Sequence, residues 1–139
     1  MIILDTNVIS EVMRPYPEQK VIQWIDKIPL KELGLTAITM AEILYGIGIL
    51  PEGKRKRQLF EIAQNMFEQD FAHRIFPFNQ MTAIEYSHIV IQREKRGNPI
   101  SMPDAQIAAI CSLGNYTLAT RNLKDFEHTG INILNPWEA

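Results

Sequence analysis

The sequence has little cysteine: Cys111 is the only one in 139 residues. No intrachain disulfide can form, and no cysteine zinc cluster exists. Histidine is scarce too, with His73, His88 and His128 isolated from one another. Zinc-ligand spacing is therefore missing, and so is any readable Ser–His–Asp arrangement. Neither G-x-x-x-x-G-K-[ST] nor G-x-G-x-x-G occurs, which argues against ATP and dinucleotide sites. No apolar run reaches the ~18–20 residues of a membrane span, so no membrane partner is expected. Excess charge is lacking as well: 14 basic against 16 acidic residues leave a net charge of −2. Such a chain is no generic polyanion binder and would meet nucleic acid only through a local patch or a metal. The opening Met1-Ile2-Ile3-Leu4-Asp5 has none of the basic, apolar and small-residue regions of a secretory signal. Together with the lone cysteine, this predicts a reducing, cytoplasmic setting. Repeats, low-complexity tracts and Gly/Ser linkers are also missing, and one domain over residues 1–139 is expected.

What is present reads as globular, at 46% hydrophobic and 22% charged. Short β-branched runs at residues 2–4, 33–36, 74–76, 116–119 and 131–134 read as buried strands. Between them lie segments with apolar residues at three- and four-residue steps, which read as helices. The first follows Asp5-Thr6-Asn7 and a second covers 18–27. A third has Thr39 as N-cap and Glu42 closing a capping box; a long fourth covers 54–70. A fifth covers 79–96, and a sixth opens on Ser101 with Pro103 in its first turn and Asp104 as the box acid. Strands alternating with helices predict an α/β fold with a central parallel sheet covered by helices. In such folds, ligands gather beyond the carboxyl ends of the strands.

Acidic residues fall on that edge. Asp5 ends the first strand, Thr120-Arg121-Asn122 with Asp125 follows the fourth, and Glu42 and Asp104 open helices. Each has a plain structural reading: Asp5 as a helix cap, Glu42 and Asp104 as capping-box partners, Asp125 as a surface turn residue. Together they would form a cluster of carboxylates whose mutual repulsion a divalent cation relieves. Oxygen donors suit Mg²⁺ or Mn²⁺. Such an ion activates water and stabilises charge on a phosphate. Cys111 sits on an apolar helical face and is expected to pack. The basic run Lys54-Arg55-Lys56-Arg57 is expected to be a solvated helix start, with phosphate contact as a minor alternative.

Four segments carry a resemblance. Met1 to Ser10 (MIILDTNVIS) resembles the opening of a PIN domain of the VapC/FitB-like toxin branch. Thr39 to Gly46 (TMAEILYG) resembles the second motif, Pro103 to Ala109 (PDAQIAA) the third and Ala119 to Phe126 (ATRNLKDF) the fourth. The tail Asn135-Pro136-Trp137 is similar too, so the likeness covers essentially the whole chain. The resemblance implies a three-layer α/β/α sandwich. It further implies the toxin of a type II toxin–antitoxin system, an endoribonuclease using Mg²⁺ or Mn²⁺. Asp5, Glu42 and Asp104 match the metal-binding and catalytic acids; Thr6, Asn7, Thr120 and Asn122 fall where the site is lined. Many relatives carry aspartate at the position of Asn122, and Asp125 is the acid available in its stead. The implied partners are RNA as substrate, a cognate antitoxin and a second copy of the chain, with DNA reached only through the antitoxin. Val12, Met13, Tyr16, Trp24 and residues 47–50 offer a groove for an antitoxin helix, with ordinary core as the plainer reading for most of these side chains. Two alternatives compete: a receiver-like phosphatase, disfavoured because no lysine follows the fourth strand as required, and a degenerate PIN domain acting as an RNA- or protein-binding scaffold.

Overall fold

A computed structural model describes residues 1–139. The chain runs β1 (Ile2–Leu4), α1 (Thr6–Val12), α2 (Gln19–Asp26), β2 (Leu33–Thr36), α3 (Ala37–Gly48), α4 (Lys54–Asn65), β3 (Ile75–Phe76), α5 (Gln80–Lys95), α6 (Met102–Gly114), β4 (Thr117–Ala119) and β5 (Asn132–Leu134). All five strands are parallel, in the order β3-β2-β1-β4-β5. β1, β2 and β3 step outward on one side. The chain then returns to the other side of β1 and adds β4 and β5. The order therefore reverses between β1 and β4, and at such a switch point the loops diverge and leave a crevice.

Both faces of the sheet are buried, which is why its strands read as continuous apolar runs. Leu4, Leu33, Leu35 and Ala119 face Val8, Ile9, Val21, Ile43 and Leu59 from α1 to α4. Ile3 and Leu118 face the opposite layer, where Ile89 of α5 meets Ile107, Ala108, Ala109 and Cys111 of α6. The result is the expected α/β/α sandwich. Where β2 and β3 come closest only glycine fits, since a Cβ on Gly34 would lie 2.9 Å from the Phe76 ring and 3.2 Å from the Arg74 carbonyl.

Three local expectations change. α3 is capped by Thr36, not Thr39: the Thr36 hydroxyl accepts the Thr39 N–H at 3.1 Å. β2 passes into α3 with no intervening residue, so the cap is the last strand residue and Thr39 becomes a buried first-turn residue. Glu42 thus lies beyond the capping position, and its carboxylate is free for other contacts. α4 ends at Asn65 and gives way to a π-helical turn, Met66–Asp70. At α6 the Ser101 hydroxyl accepts the Asp104 N–H at 3.3 Å, without the reciprocal bond of a capping box.

Candidate active site

β1 ends beside Asp5, and α1 begins one residue later. The extended Asp5 backbone (φ −70°, ψ 163°) aims its Oδ1 at the Thr6 N–H, 2.8 Å away, which caps α1. Its Oδ2 accepts from the Thr120 hydroxyl at 2.8 Å and from the Asn7 amide at 3.3 Å. The Asn7 amide nitrogen also reaches Thr120 Oγ1 at 3.2 Å, and Asn7 Oδ1 accepts the Arg121 N–H at 3.2 Å. Asn122 N–H donates to Thr120 Oγ1 at 3.1 Å. The turn after β4 is therefore stitched to the turn after β1, and Asp5 is held from two strands.

Glu42 comes from α3 and is exposed. One of its oxygens accepts from the Thr6 hydroxyl at 2.7 Å, and that hydroxyl also lies 3.0 Å from Thr39 Oγ1. Asp104, half-buried, enters from the first turn of α6. Asp5, Thr6, Asn7, Glu42, Asp104 and Asn122 together line a cleft of about 510 Å³. Thr120 lies beneath it, buried, as a support for Asp5. Asp125 stands exposed on the 3₁₀ turn Leu123–Phe126, outside the lining.

The acids feel one another. Burial pushes Asp5 up to about 6, against the hydrogen bonds from Thr120 and Thr6, and the charges of Asp104 and Glu42 add to the rise. Burial also raises Asp104, opposed by the Ser101 hydroxyl, while the charges of Asp125 and Glu42 raise it further and Arg93 lowers it. Asp125 is thus linked to the cluster through Asp104 even though it lies outside the cleft. No three of these side chains are grouped so that they could hold one ion by direct contact alone. The donors are all oxygens, without histidine or cysteine. That set fits a hard cation such as Mg²⁺ or Mn²⁺, which takes one or two carboxylates and keeps several waters.

Reading the sequence missed the role of several residues here. Ser10, Glu11, Arg14, Arg121 and Trp137 also line the cleft. Glu11 is buried, accepts the Glu18 N–H at 2.9 Å and pairs with Arg14 at 3.2 Å. Arg93, on α5, is 2% exposed and has no carboxylate partner. Its guanidinium donates to the carbonyls of Asn98 (2.6 Å), Asp125 (2.8 Å) and Glu127 (3.0 Å). It thereby clamps the loop before α6 to the turn that carries Asp125. No local sequence signal marks Arg93, because its partners lie up to 34 residues away. Cys111 is fully buried in the α6 layer, and its thiol is pushed up to about 12 by burial, so it packs as expected and is no nucleophile. In the basic run, Lys56 pairs with Glu52 and Lys54 opens α4.

A second, larger cavity of about 690 Å³ lies away from the acids, lined by Ile9, Val12, Met13, Ile25, Ile62 and Met66 among others. Arg14 borders both it and the acidic cleft. Tyr16 and Trp24 are not part of its lining, and neither is any residue of 47–50. Tyr16 is 91% exposed, and Trp24 packs against the core.

A parallel sheet ordered 3-2-1-4-5 with three acids in the crevice at its switch point has a counterpart among known proteins. Residues 2–132 match the PIN domain. The chain belongs to the PIN domain family. This PIN domain is 39% identical over 137 residues to Toxin FitB of Neisseria gonorrhoeae, covering 99% of each chain. It is 38% identical over 142 residues to VapC ribonuclease Y4jK of Sinorhizobium fredii, again with 99% of each chain covered. Among solved structures it superposes on a chain of FitAB bound to an IR36 DNA fragment, with a TM-score of 0.94, 39% identity, and 99% of this chain and 96% of that one covered. Its acid cleft lies on the edge where the sequence motifs gather, and no helix of it is long and apolar enough to cross a membrane.

Proposed function

We propose that this PIN domain is the toxin of a type II toxin–antitoxin pair, an endoribonuclease that depends on Mg²⁺ or Mn²⁺. In this reading Asp5, Glu42 and Asp104 hold the cation directly or through water, and Asp125 acts with them as a fourth catalytic carboxylate. The observation that carries it is the meeting of Asp5, Glu42 and Asp104 in one polar cleft, where the charge of Glu42 raises the proton affinity of Asp5 and Asp104 and that of Asp104 adds to the rise at Asp5. The ribonuclease and toxin relatives, similar along almost their whole length, support it.

When bound, the cation supplies water activation and neutralises charge on the phosphate. The chain's own residues do the rest. Asp5 is fixed in place by the Thr120 hydroxyl, the Asn7 amide and the Thr6 N–H. Glu42 is aimed by Thr6. Asp104 enters half-buried from the first turn of α6, and one of the cleft carboxylates takes the proton that the attacking water gives up. Water attacks the phosphorus in line, the P–O3′ bond breaks with O3′ taking a proton from solvent, and the strand ends are a 5′-phosphate and a 3′-hydroxyl. Single-stranded or looped RNA is the substrate form that presents such a phosphate openly.

The partner calls belong to the same proposal. The apolar groove receives a segment of the antitoxin, and Val12 and Met13 form part of its wall as the sequence suggested. Contact with DNA passes through that partner, in keeping with the FitAB neighbour on its DNA fragment and a net charge here of −2. A second copy of the chain is the remaining partner in this reading.

The test is cleavage of total cellular RNA by antitoxin-free protein in Mg²⁺ or Mn²⁺, in EDTA, and with Asp5→Asn alongside. Discrete fragments that disappear with EDTA and with the variant are expected. Folded protein that cleaves nothing with any metal would move the function to a non-catalytic RNA- or protein-binding scaffold.

A further inference from the structure

Two larger side chains of the acidic cleft, Arg121 and Trp137, stand apart from the acids and their hydrogen-bond partners. Trp137 is the only apolar residue of the lining, and Arg121 lies over it with Cζ 4.9 Å from the ring centroid. The sheet sets them side by side. Ala119 and Leu134 are register partners at the ends of β4 and β5, so the two turns that follow leave the same edge together. Both backbones are pinned: Arg121 N–H donates to Asn7 Oδ1 at 3.2 Å, and Trp137 N–H donates to Asn135 Oδ1 at 2.9 Å. One side of the indole packs against the core layer of α1 to α4. The Arg121 side chain is exposed and makes no ion pair although several carboxylates share its cleft; the ion pairs of the molecule are Arg14–Glu11 and Lys56–Glu52. The cleft thus contains a fixed aromatic wall and, beside it, a cation that neutralises none of the acids.

An aromatic ring and a guanidinium plane are the two side-chain surfaces on which an unpaired base stacks, and a guanidinium also pairs with phosphate. We propose that Arg121 and Trp137 form a nucleobase subsite for the RNA strand. Trp137 supplies the stacking wall for the base of a nucleotide next to the phosphate that the acids address, and Arg121 leaves the ring to contact the base plane and the flanking phosphate. The subsite rests on the ribonuclease reading and deepens it, because a base held in a duplex cannot offer its face to the indole. It assigns the single-strand requirement to two named residues at the cleft wall.

The chain has two tryptophans, so Trp24→Phe leaves Trp137 as the only indole reporter. With Asp104→Asn added to stop turnover, an unstructured eight-nucleotide RNA titrated in Mg²⁺ should quench that indole saturably. The same strand made abasic should not. By anisotropy of a labelled strand, Trp137→Leu should weaken binding roughly ten-fold or more, Trp137→Phe should stay within about three-fold, and Arg121→Gln should fall between them. In cleavage-competent protein Trp137→Leu should raise KM and change the fragment ends, with kcat far less affected. Circular dichroism melts check folding; if Trp137→Leu does not fold, the exposed Arg121 variant and the abasic strand carry the test. Equal affinity for the normal and abasic strands, or unchanged KM and fragment ends in Arg121→Gln and Trp137→Leu, would overturn the subsite and leave the ribonuclease reading intact. A parent protein that neither cleaves nor binds RNA would overturn both.

Discussion

The acidic cleft and the apolar groove lie on either side of Arg14 and are built by opposite means. The cleft has one apolar lining residue, and its side chains come from the turns after β1 and β4, from α1, α3 and α6, and from the tail after β5. Backbone N–H groups and hydroxyls fix them, as at Asp5. The groove has ten hydrophobic lining residues among sixteen, drawn from β1, β2, α1, α2, α4, the π-helical turn and the loops beside them. Packing alone positions them, and its walls include Met13 and Met66, whose flexible thioethers adapt to what they touch. The cleft is therefore suited to fixed chemistry, and the groove to accommodating a partner. Arg14 borders both, so the groove and the acids are neighbours on the surface.

This contrast can be broken experimentally. The largest effect is expected for Asp104→Asn, which should lower RNA cleavage by roughly 10²–10⁴-fold. Its melting temperature should change little, and the antitoxin should still be held in the groove. Loss of antitoxin capture in that variant would mean the two regions are one. Next comes Arg93→Met, which strands the carbonyls of Asn98, Asp125 and Glu127. Denaturant titration should show a loss of about 3–5 kcal/mol. A weaker metal requirement curve should accompany it, since the clamp sets Asp104 against Asp125.

The third prediction concerns pH. The Asp5 carboxyl has a folded pKa of about 6, above its ordinary value of 3.8. The folded state thus binds the proton more tightly than the unfolded one. Stability is full below the ordinary value and declines as pH rises through about 6, by roughly 3 kcal/mol for metal-free protein. Asp5→Asn should flatten that slope in urea titrations run from pH 4 to pH 7.5, and an equal slope in the variant would remove Asp5 as its source. The smallest effect is reserved for the groove. Ile62 is 50% exposed, so Ile62→Glu should leave fold and cleavage intact while weakening antitoxin binding roughly 30-fold by calorimetry.

Legibility in the sequence followed the same divide. The five strands could be read because a sheet buried on both faces writes unbroken apolar runs such as Ile2-Ile3-Leu4 and Leu33-Gly34-Leu35. Asp5 could be read twice over, as a cap and as a site acid, because its two oxygens serve the two purposes separately. Thr39 was misread as a cap because the strand runs straight into α3, and no turn residues mark where one stops. Asp125 is legible as an acid beside Asn122; its place on the 3₁₀ turn, outside the cleft lining but close enough for its charge to raise Asp104, depends on the fold. Glu11, Arg14 and Arg93 were invisible, since each acts through partners that only the fold supplies. Trp137 was visible as part of a tail motif, but its place in the cleft depends on the register of β4 with β5.

Cys111 has a practical consequence. It is the chain's single thiol, fully buried and held far from its reactive thiolate form. An alkylating reagent can reach it only when α6 lifts from the sheet, so its labelling rate is a clock for opening of the layer that carries Asp104. Read with and without antitoxin, or with and without Mg²⁺, that one sulfur would report how much each partner slows the breathing of the molecule.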